Sequence, residues 1–176
     1  MIEERLTVGL VVERRELSGP WGGFTWRPVA IFPTPPDVEP WTSLGLFGQA
    51  QRYYAGAYDI MLYSTDTANY RDNLESTDAK LWVVLRAEGR EPPIEVVTVT
   101  ADPAEGEANT EAGSNVVETV PMPADIAGVI AQFIADHHVE RPVYKRQRDR
   151  KHGGGPQANR PQGSAERRPG RDEDRS

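Results

Sequence analysis

The chain has 176 residues, of which 38% are hydrophobic and 27% are charged, and its formal net charge is −7. This length suits one domain of ordinary size followed by a tail. The absence of cysteine excludes disulfides, thiolate zinc sites, iron–sulfur clusters and cysteine nucleophiles.

The first predicted elements are two strands that form a hairpin. Hydrophobic residues occupy every second position over residues 6–12, which is typical of a strand with one buried face. Residues 24–32 are rich in aromatic and branched side chains and predict the second strand. Glycine and proline in residues 17–23 supply turn geometry. We therefore expect a hairpin with a long, glycine-rich tip.

A proline-rich connection and a second hairpin are predicted next. Residues 33–41 contain too many prolines for a helix interior or a central strand, so we expect them to cross the surface. Residues 51–55 and 58–63 flank Gly56 and predict a second hairpin with a short turn. The candidate face partners in this hairpin are Arg52, Tyr54, Tyr58, Ile60 and Leu62.

The sequence predicts a short helix over residues 67–74, preceded by side-chain oxygens that suit an N-cap. On this helix, Tyr70 and Leu74 are expected to face inward. Asn69 and Asn73 are expected to face solvent.

Two strands, a short helix, another strand and a longer helix complete the predicted fold. The strands cover residues 80–87 and 94–100, with a proline-containing turn between them. A short helix over residues 104–114 and a strand over residues 116–120 follow. The last helix, which starts within residues 121–125, carries an apolar stripe meant for the face of a sheet. The stripe consists of Ile126, Val129, Ile130, Phe133 and Ile134.

These elements predict an α+β fold with a mostly antiparallel sheet of five to seven strands. The C-terminal amphipathic helix packs on that sheet. A doubly wound parallel sheet is disfavoured because turns, rather than crossover helices, join the strands. We expect a single domain over residues 1–140, and the pattern leaves open whether the sheet closes into a barrel.

The charge is divided between the predicted domain and the tail. Residues 141–176 contain eleven Lys or Arg and five Asp or Glu, a charge of +6, which leaves −13 for residues 1–140. Residues 152–176 contain no Val, Ile, Leu, Met or aromatic residue, so they cannot bury enough apolar surface to offset their ordering entropy. We expect residues 141–176 to be a basic, largely disordered tail.

Two adjacent histidines, His137 and His138, suggest a metal site together with Asp136 and Glu140, because imidazoles and carboxylates are common ligands of transition metals. Neighbouring helical residues point about 100° apart, whereas helical chelating pairs are three or four residues apart. We therefore favour helix-end histidines that interact with the helix dipole. No metal site and no cofactor are predicted.

A cationic and aromatic patch is predicted on the first hairpin, formed by Arg14, Arg15, Trp21, Trp26 and Arg27. Guanidinium groups bind planar anions through two hydrogen bonds and stack on indole rings. The patch could therefore contact a phosphate-bearing ligand or the carboxylates of a partner. The simpler alternative is a solvated outer face of the sheet with cross-strand cation–π pairs.

Other functional classes are disfavoured. The basic run over residues 144–151 suggests nucleic acid, but the acidic domain would repel phosphates and no nucleic-acid-binding motif accompanies the run. The glycines of residues 153–155 lack the Gly-Lys-Ser/Thr ending of a phosphate loop, and Gly-x-Ser-x-Gly is absent. No leader segment or membrane-spanning stretch is recognised, so we expect a cytoplasmic protein without membrane contact.

Several segments of the chain resemble, in the same order, a proteobacterial family of unknown function. The segments are Val11-Val12-Glu13-Arg14-Arg15, Trp26-Arg27-Pro28-Val29-Ala30, Tyr70-Arg71-Asp72-Asn73-Leu74-Glu75-Ser76, Val120-Pro121-Met122-Pro123 and His137-His138-Val139-Glu140. The similarity covers approximately residues 6–150. Members of this family are often encoded beside subunits of molybdenum-dependent formate dehydrogenase and the sulfurtransferase that matures them. The resemblance therefore implies a genomic setting and no catalytic residues.

The resulting hypothesis is a non-catalytic, cytoplasmic accessory protein that binds another protein. Its expected partner is a formate dehydrogenase subunit or a maturation factor. The alternative is a protein that binds a pterin cofactor or a nucleotide with the predicted patch. An enzyme would require a polar cleft or a catalytic constellation, and the sequence indicates neither.

Overall fold

The computed structural model describes residues 1–111 and 113–140. Residues 1–140 form one compact unit that contains helices and strands. The predicted basic tail, residues 141–176, lies outside the described residues. None of the described helices is long and apolar enough to cross a membrane.

Seven strands and three helices are described in this unit, and the α+β class is confirmed. In chain order they are β1 (Glu3–Glu16), β2 (Phe24–Phe32), β3 (Thr42–Phe47), β4 (Ala50–Tyr63), α1 (Thr67–Glu75), β5 (Lys80–Ala87), β6 (Ile94–Thr100), α2 (Pro103–Thr110), β7 (Asn115–Pro121) and α3 (Ala124–His137).

The strands form two antiparallel sheets, so the prediction of one sheet is wrong. The first sheet has the order β2-β1-β4-β3, and the second has the order β6-β5-β7. The pattern of each strand shows that a strand forms, but it does not specify distant pairing partners. β1 pairs with β2 across a local hairpin and with β4 across a long sequence separation, whereas β5 is the central strand of the second sheet.

The predicted second hairpin at Gly56 is one continuous strand, β4. Gly56 has a φ of 135°, a conformation that L residues other than glycine seldom adopt. Beside it, Leu10 pairs with Gly56 and Val11 pairs with Tyr54, so Ala55 is an extra residue on β4. The glycine therefore serves a β-bulge that bends the strand without reversing it.

The hairpin that β4 does form is made with β3, a strand that the sequence pattern does not predict. β3 pairs along the first half of β4 and ends at Phe47, and the turn lies at residues 48–49. Gly45 has a φ of 95° and sits at a register shift in this short edge strand. The glycine and the shift interrupt the alternation that would have indicated a strand.

Helix α1 agrees with its predicted position, but its asparagines do not face solvent as expected. Asn73 is buried, and its amide donates to the carbonyl oxygens of Lys80 (2.8 Å) and Ala101 (2.9 Å). Its Oδ1 accepts a hydrogen bond from the backbone N–H of Lys80 at 3.0 Å. Asn69 donates to the carboxylate of Asp102 at 3.1 Å. The two amides fasten α1 to the start of β5 and to the segment between β6 and α2.

One hydrophobic core joins the two sheets and the helices. It includes the buried Val8 and Leu10 of β1, Val83 of β5, Tyr70 of α1 and Phe133 of α3. The predicted apolar stripe of α3 is the face that enters this core, because Ile126, Ile130 and Phe133 are its buried residues.

Candidate functional site

The two hairpins of the first sheet place their turns at the same end of that sheet. Arg15 pairs with Thr25 of β2 on one side and with Ala50 of β4 on the other. Phe47 of β3 in turn pairs with Ala50. We call this end, with residues 13–27 and 44–52, the hairpin end.

At the hairpin end, a nearly buried carboxylate is surrounded by three arginines. Glu13 is 2% exposed. Its Oε1 lies 3.3 Å from Nη2 of Arg15 and 3.3 Å from Nη2 of Arg27, and its Oε2 lies 3.2 Å from Nε of Arg52. We call these four residues the arginine cluster.

The strand register explains why the cluster forms. Glu13 is the direct cross-strand partner of Arg27 on β2 and of Arg52 on β4. Arg15 lies two residues further along β1 and therefore projects from the same face of the sheet. Side chains directly opposite one another on an antiparallel pair are close enough for ion pairs.

The cluster has a surplus positive charge. Burial of Glu13 raises its pKa, but the hydrogen bonds from Arg52 and Arg15 and the charges of Arg27 and Arg52 together bring the pKa below its ordinary value. The carboxylate is thus ionised at neutral pH, and three guanidinium groups against one carboxylate leave a local charge of about +2.

The guanidinium groups keep donors available to solvent. The side chains of Arg15, Arg27 and Arg52 are 58%, 56% and 32% exposed. Within the described part of the chain, each makes one hydrogen bond, to Glu13. Because a guanidinium carries five N–H donors, each group can bind a second carboxylate or another planar anion.

Exposed apolar side chains accompany the cluster at the hairpin end. The guanidinium of Arg52 lies 4.2 Å from the ring centroid of Phe47. Around the two turns, the exposed large side chains are Leu17 (46%), Trp21 (96%), Phe24 (51%), Leu44 (36%), Leu46 (72%) and Phe47 (49%). Aromatic residues and arginine are enriched in protein–protein interfaces.

The sheet divides the predicted patch between its two faces. Arg15 and Arg27 lie in the arginine cluster. Arg14 and Trp26, their neighbours in sequence, project to the opposite face, because successive strand residues alternate. Trp21 is at the hairpin tip, almost fully exposed.

The opposite face carries an aromatic group that packs against the core. The guanidinium of Arg14 lies 4.4 Å from the ring centroid of Phe24, 5.6 Å from Tyr53 and 5.9 Å from Trp26. Trp26 also meets Trp41 edge to face, with 5.9 Å between ring centroids. Arg14 and Trp26 thus form a cross-strand cation–π pair, but on a face that packs against the core and not on a solvated outer face.

Glu13 and Arg52 were not among the predicted site residues. Glu13 lies two residues after Val11 and therefore on the same face of β1. An acidic residue on a face that also carries apolar residues is a signal for a buried ion pair. Arg52 is 39 residues away in sequence. Only the pairing of β1 with β4 brings it to Glu13.

The two histidines at the end of α3 have different partners. The ring of His137 lies 4.7 Å from the ring centroid of Phe133. In His138, Nδ1 lies 3.0 Å from Oγ1 of Thr67 and Nε2 lies 3.1 Å from Nη1 of Arg71. Because Arg71 can only donate, Nε2 accepts and Nδ1–H donates. Among the described residues, no group of three or more His, Asp or Glu is arranged to hold a metal ion.

The chain is similar to a known protein family. The family model described as "Protein of unknown function (DUF3305)" matches residues 7–148. No curated protein and no solved structure matches the chain.

Proposed function

The chain belongs to the DUF3305 family of proteins of unknown function, and from this premise we propose that it is a non-catalytic, cytoplasmic accessory protein. In this proposal the arginine cluster binds an acidic segment of a partner protein. The exposed ring of Phe47, which stacks on Arg52 on the same face of the sheet, packs against the same segment.

The observation that carries the proposal is the convergence of three arginines on one buried carboxylate. Glu13 holds the guanidinium groups of Arg15, Arg27 and Arg52 in place, so little side-chain entropy remains to be lost when a second anion binds. The surplus charge of about +2 stands on a domain with a charge of −13. Within this acidic domain the cluster is a local positive region that attracts carboxylates, which favours specificity.

A protein segment suits the hairpin end better than a small ligand does. The cluster lies on a sheet face where the side chains of Arg15 and Arg27 are more than half exposed, and Phe47 on the same face is 49% exposed. A small ligand is usually enclosed in a concave pocket, whereas open arginine and aromatic surfaces are typical of interface centres. The pterin or nucleotide alternative required the five predicted residues to act together, and these residues lie on two faces and a tip.

The partner that we propose is a subunit of molybdenum-dependent formate dehydrogenase or one of its maturation factors. Support for this choice comes from the resemblance described above, whose family members are often encoded beside these proteins. The arginine cluster accounts for the binding of carboxylates, and the genomic setting of the family identifies the candidate partner.

Affinity purification from formate-grown cells of the native host tests both the identity of the partner and the role of the arginine cluster. The tagged full-length chain should recover a dehydrogenase subunit or a maturation factor, and Arg27→Gln should lower that recovery about tenfold. Arg27→Gln leaves Glu13 paired with Arg15 and Arg52, so the carboxylate stays compensated.

The matched control is Arg5→Gln, which removes one positive charge from an exposed arginine of the same strand. Arg5 is 68% exposed and lies 3.7 Å from Asp59, away from the cluster. Its recovery should equal that of the unaltered chain. Recovery of neither class of partner refutes the assignment of the partner, and equal losses in both variants refute the role of the cluster.

A further inference from the structure

A second site, independent of the arginine cluster, lies where the first sheet meets the hairpin of β5 and β6. A cavity of about 440 Å³ opens there. Trp41, which directly precedes β3, and Tyr58 of β4 line one side, and Ile94 and Val96 of β6 contribute apolar side chains from the other. Pockets of roughly 300–1,000 Å³ are of the size that encloses small ligands or single side chains.

The rim of this cavity is acidic. Glu88, Glu91 and Glu95 line it together with Arg90, and Arg86 lies beside Glu95, so that three carboxylates meet two guanidinium groups and the local charge is about −1. The apolar wall and the acidic rim together form a surface that is complementary to an organic cation with an aliphatic stem.

The carboxylates of the rim are held only loosely. Glu88 lies 3.8 Å from Nε of Arg90, whose side chain is 79% exposed. Glu95 lies 3.9 Å from Nη1 of Arg86. Both distances exceed that of a hydrogen bond, and exposed pairs of this kind contribute little. An incoming cation can therefore replace these contacts at small cost.

The aromatic walls are fixed by contacts outside the cavity. Trp41 packs edge to face on Trp26 and against Tyr53, and its backbone N–H donates to the carbonyl of Tyr54. The hydroxyl of Tyr58 donates to the carbonyl of Ala55 at 3.3 Å. Burial raises the pKa of Tyr58, and the negative charge of Glu95 raises it further, so the phenol stays neutral at physiological pH. Both rings are thus neutral, fixed π-systems of the kind that attracts cations.

We propose that this cavity binds an organic monocation, a guanidinium or alkylammonium group carried on an aliphatic stem. The charged group lies over the rings of Trp41 and Tyr58 and between the rim carboxylates. The stem lies against Ile94 and Val96. Such a cation comes either as a free amine or guanidine or as the side chain of arginine or lysine in a peptide.

Titration of the full-length protein followed by NMR tests the proposal. Butylguanidinium should cause a saturable shift of the Trp41 indole N–H resonance, which is identified by its loss in Trp41→Phe. Butylurea has nearly the same shape without the charge and should cause no saturable shift. Equal binding of both compounds would show an apolar pocket without cation selectivity and would overturn the proposal. This comparison uses the unaltered protein, so it does not depend on the folding of any variant.

A matched pair of variants locates the binding. The triple variant Glu88→Gln, Glu91→Gln and Glu95→Gln should bind butylguanidinium about tenfold more weakly. The control with the same change of charge is Glu107→Gln, Glu111→Gln and Glu118→Gln, three exposed residues that do not line the cavity. It should bind as the unaltered protein does. An equal loss in the control variant indicates diffuse attraction to an acidic protein and refutes the site.

A peptide distinguishes the two sources of the cation. Acetyl-Gly-Arg-Gly-amide that binds more tightly than butylguanidinium assigns the cavity to a protein partner. Tighter binding of butylguanidinium assigns it to a small metabolite. Absence of any shift with both compounds contradicts the proposal.

Discussion

Glu13 keeps its charge in a nearly buried position because three arginines surround it. Burial raises its pKa, but the hydrogen bonds from Arg52 and Arg15 and the neighbouring charges bring the pKa below the ordinary value of 4.5. A carboxyl group with a lowered pKa in the folded state stabilises the fold at pH values above its unfolded pKa. That contribution is lost as the pH falls through the folded-state pKa.

Glu13→Gln should therefore destabilise the protein in a pH-dependent way. At pH 7 we expect a loss of about 1–3 kcal/mol in the free energy of unfolding, because the arginines lose their counter-charge yet remain partly solvated. Below pH 4.5 the difference from the unaltered protein should shrink, since protonated Glu13 resembles glutamine. Urea unfolding at several pH values measures this difference.

Glu16→Gln is the control for this experiment. Glu16 lies on the same strand and is exposed. Its replacement should change the free energy of unfolding by less than about 0.5 kcal/mol at every pH. A difference for Glu13→Gln that does not vary with pH contradicts the assigned ionisation.

At the level of the element, α2 depends on one glycine. Gly106 is buried in the middle of this helix, and a Cβ there would overlap the indole ring of Trp82 on β5. A glycine normally weakens a helix by about 1 kcal/mol relative to alanine. Here the close approach of α2 to β5 requires it.

Gly106→Ala should destabilise the protein by about 1–3 kcal/mol despite its higher helix propensity, because Trp82 or the helix must move. Thermal unfolding and urea unfolding measure the change. Gly128→Ala in α3 is the matched control, since nothing lies within 4 Å of its added methyl group. That variant should gain about 0.5–1 kcal/mol. Stabilisation in both variants would contradict the packing of α2.

At the level of the whole molecule, the two sheets share one hydrophobic core. Leu81 of β5 and Leu62 of β4 are both fully buried in it. A domain with a single core unfolds as one cooperative unit. The second sheet should therefore have no stability apart from the first.

Leu81→Ala in the second sheet should lower the free energy of unfolding of the whole domain by about 2–5 kcal/mol. The midpoints from circular dichroism and from tryptophan fluorescence should stay coincident, because Trp26 of the first sheet unfolds together with Trp82 of the second. Val116→Ala, at a half-exposed position of β7, should change stability by less than about 0.5 kcal/mol. Separate midpoints for the two probes would show that the sheets unfold independently.

Elements with strong local signals were predictable. The strands over residues 80–87 and 94–100 and the apolar stripe of α3 agree with β5, β6 and the buried face of α3. The prediction for Asn73 is wrong because the local sequence does not show whether a polar side chain has a buried hydrogen-bond partner. The partners of Asn73 are the carbonyl oxygens of Lys80 and Ala101, which lie outside α1. Of the candidate site, Arg15 and Arg27 were found, since a local hairpin brings them together.

The sequence by itself determined the α+β class, the strand positions with clear alternation and the division of charge, because these follow from periodicity and composition within short windows. Tertiary structure alone decided that β4 continues through the bulge at Gly56, that seven strands divide into two sheets, and that Arg52 contacts Glu13. These outcomes depend on pairing between distant segments, whose energy comes from burial and register rather than from local preference. The arginine cluster is a product of that pairing.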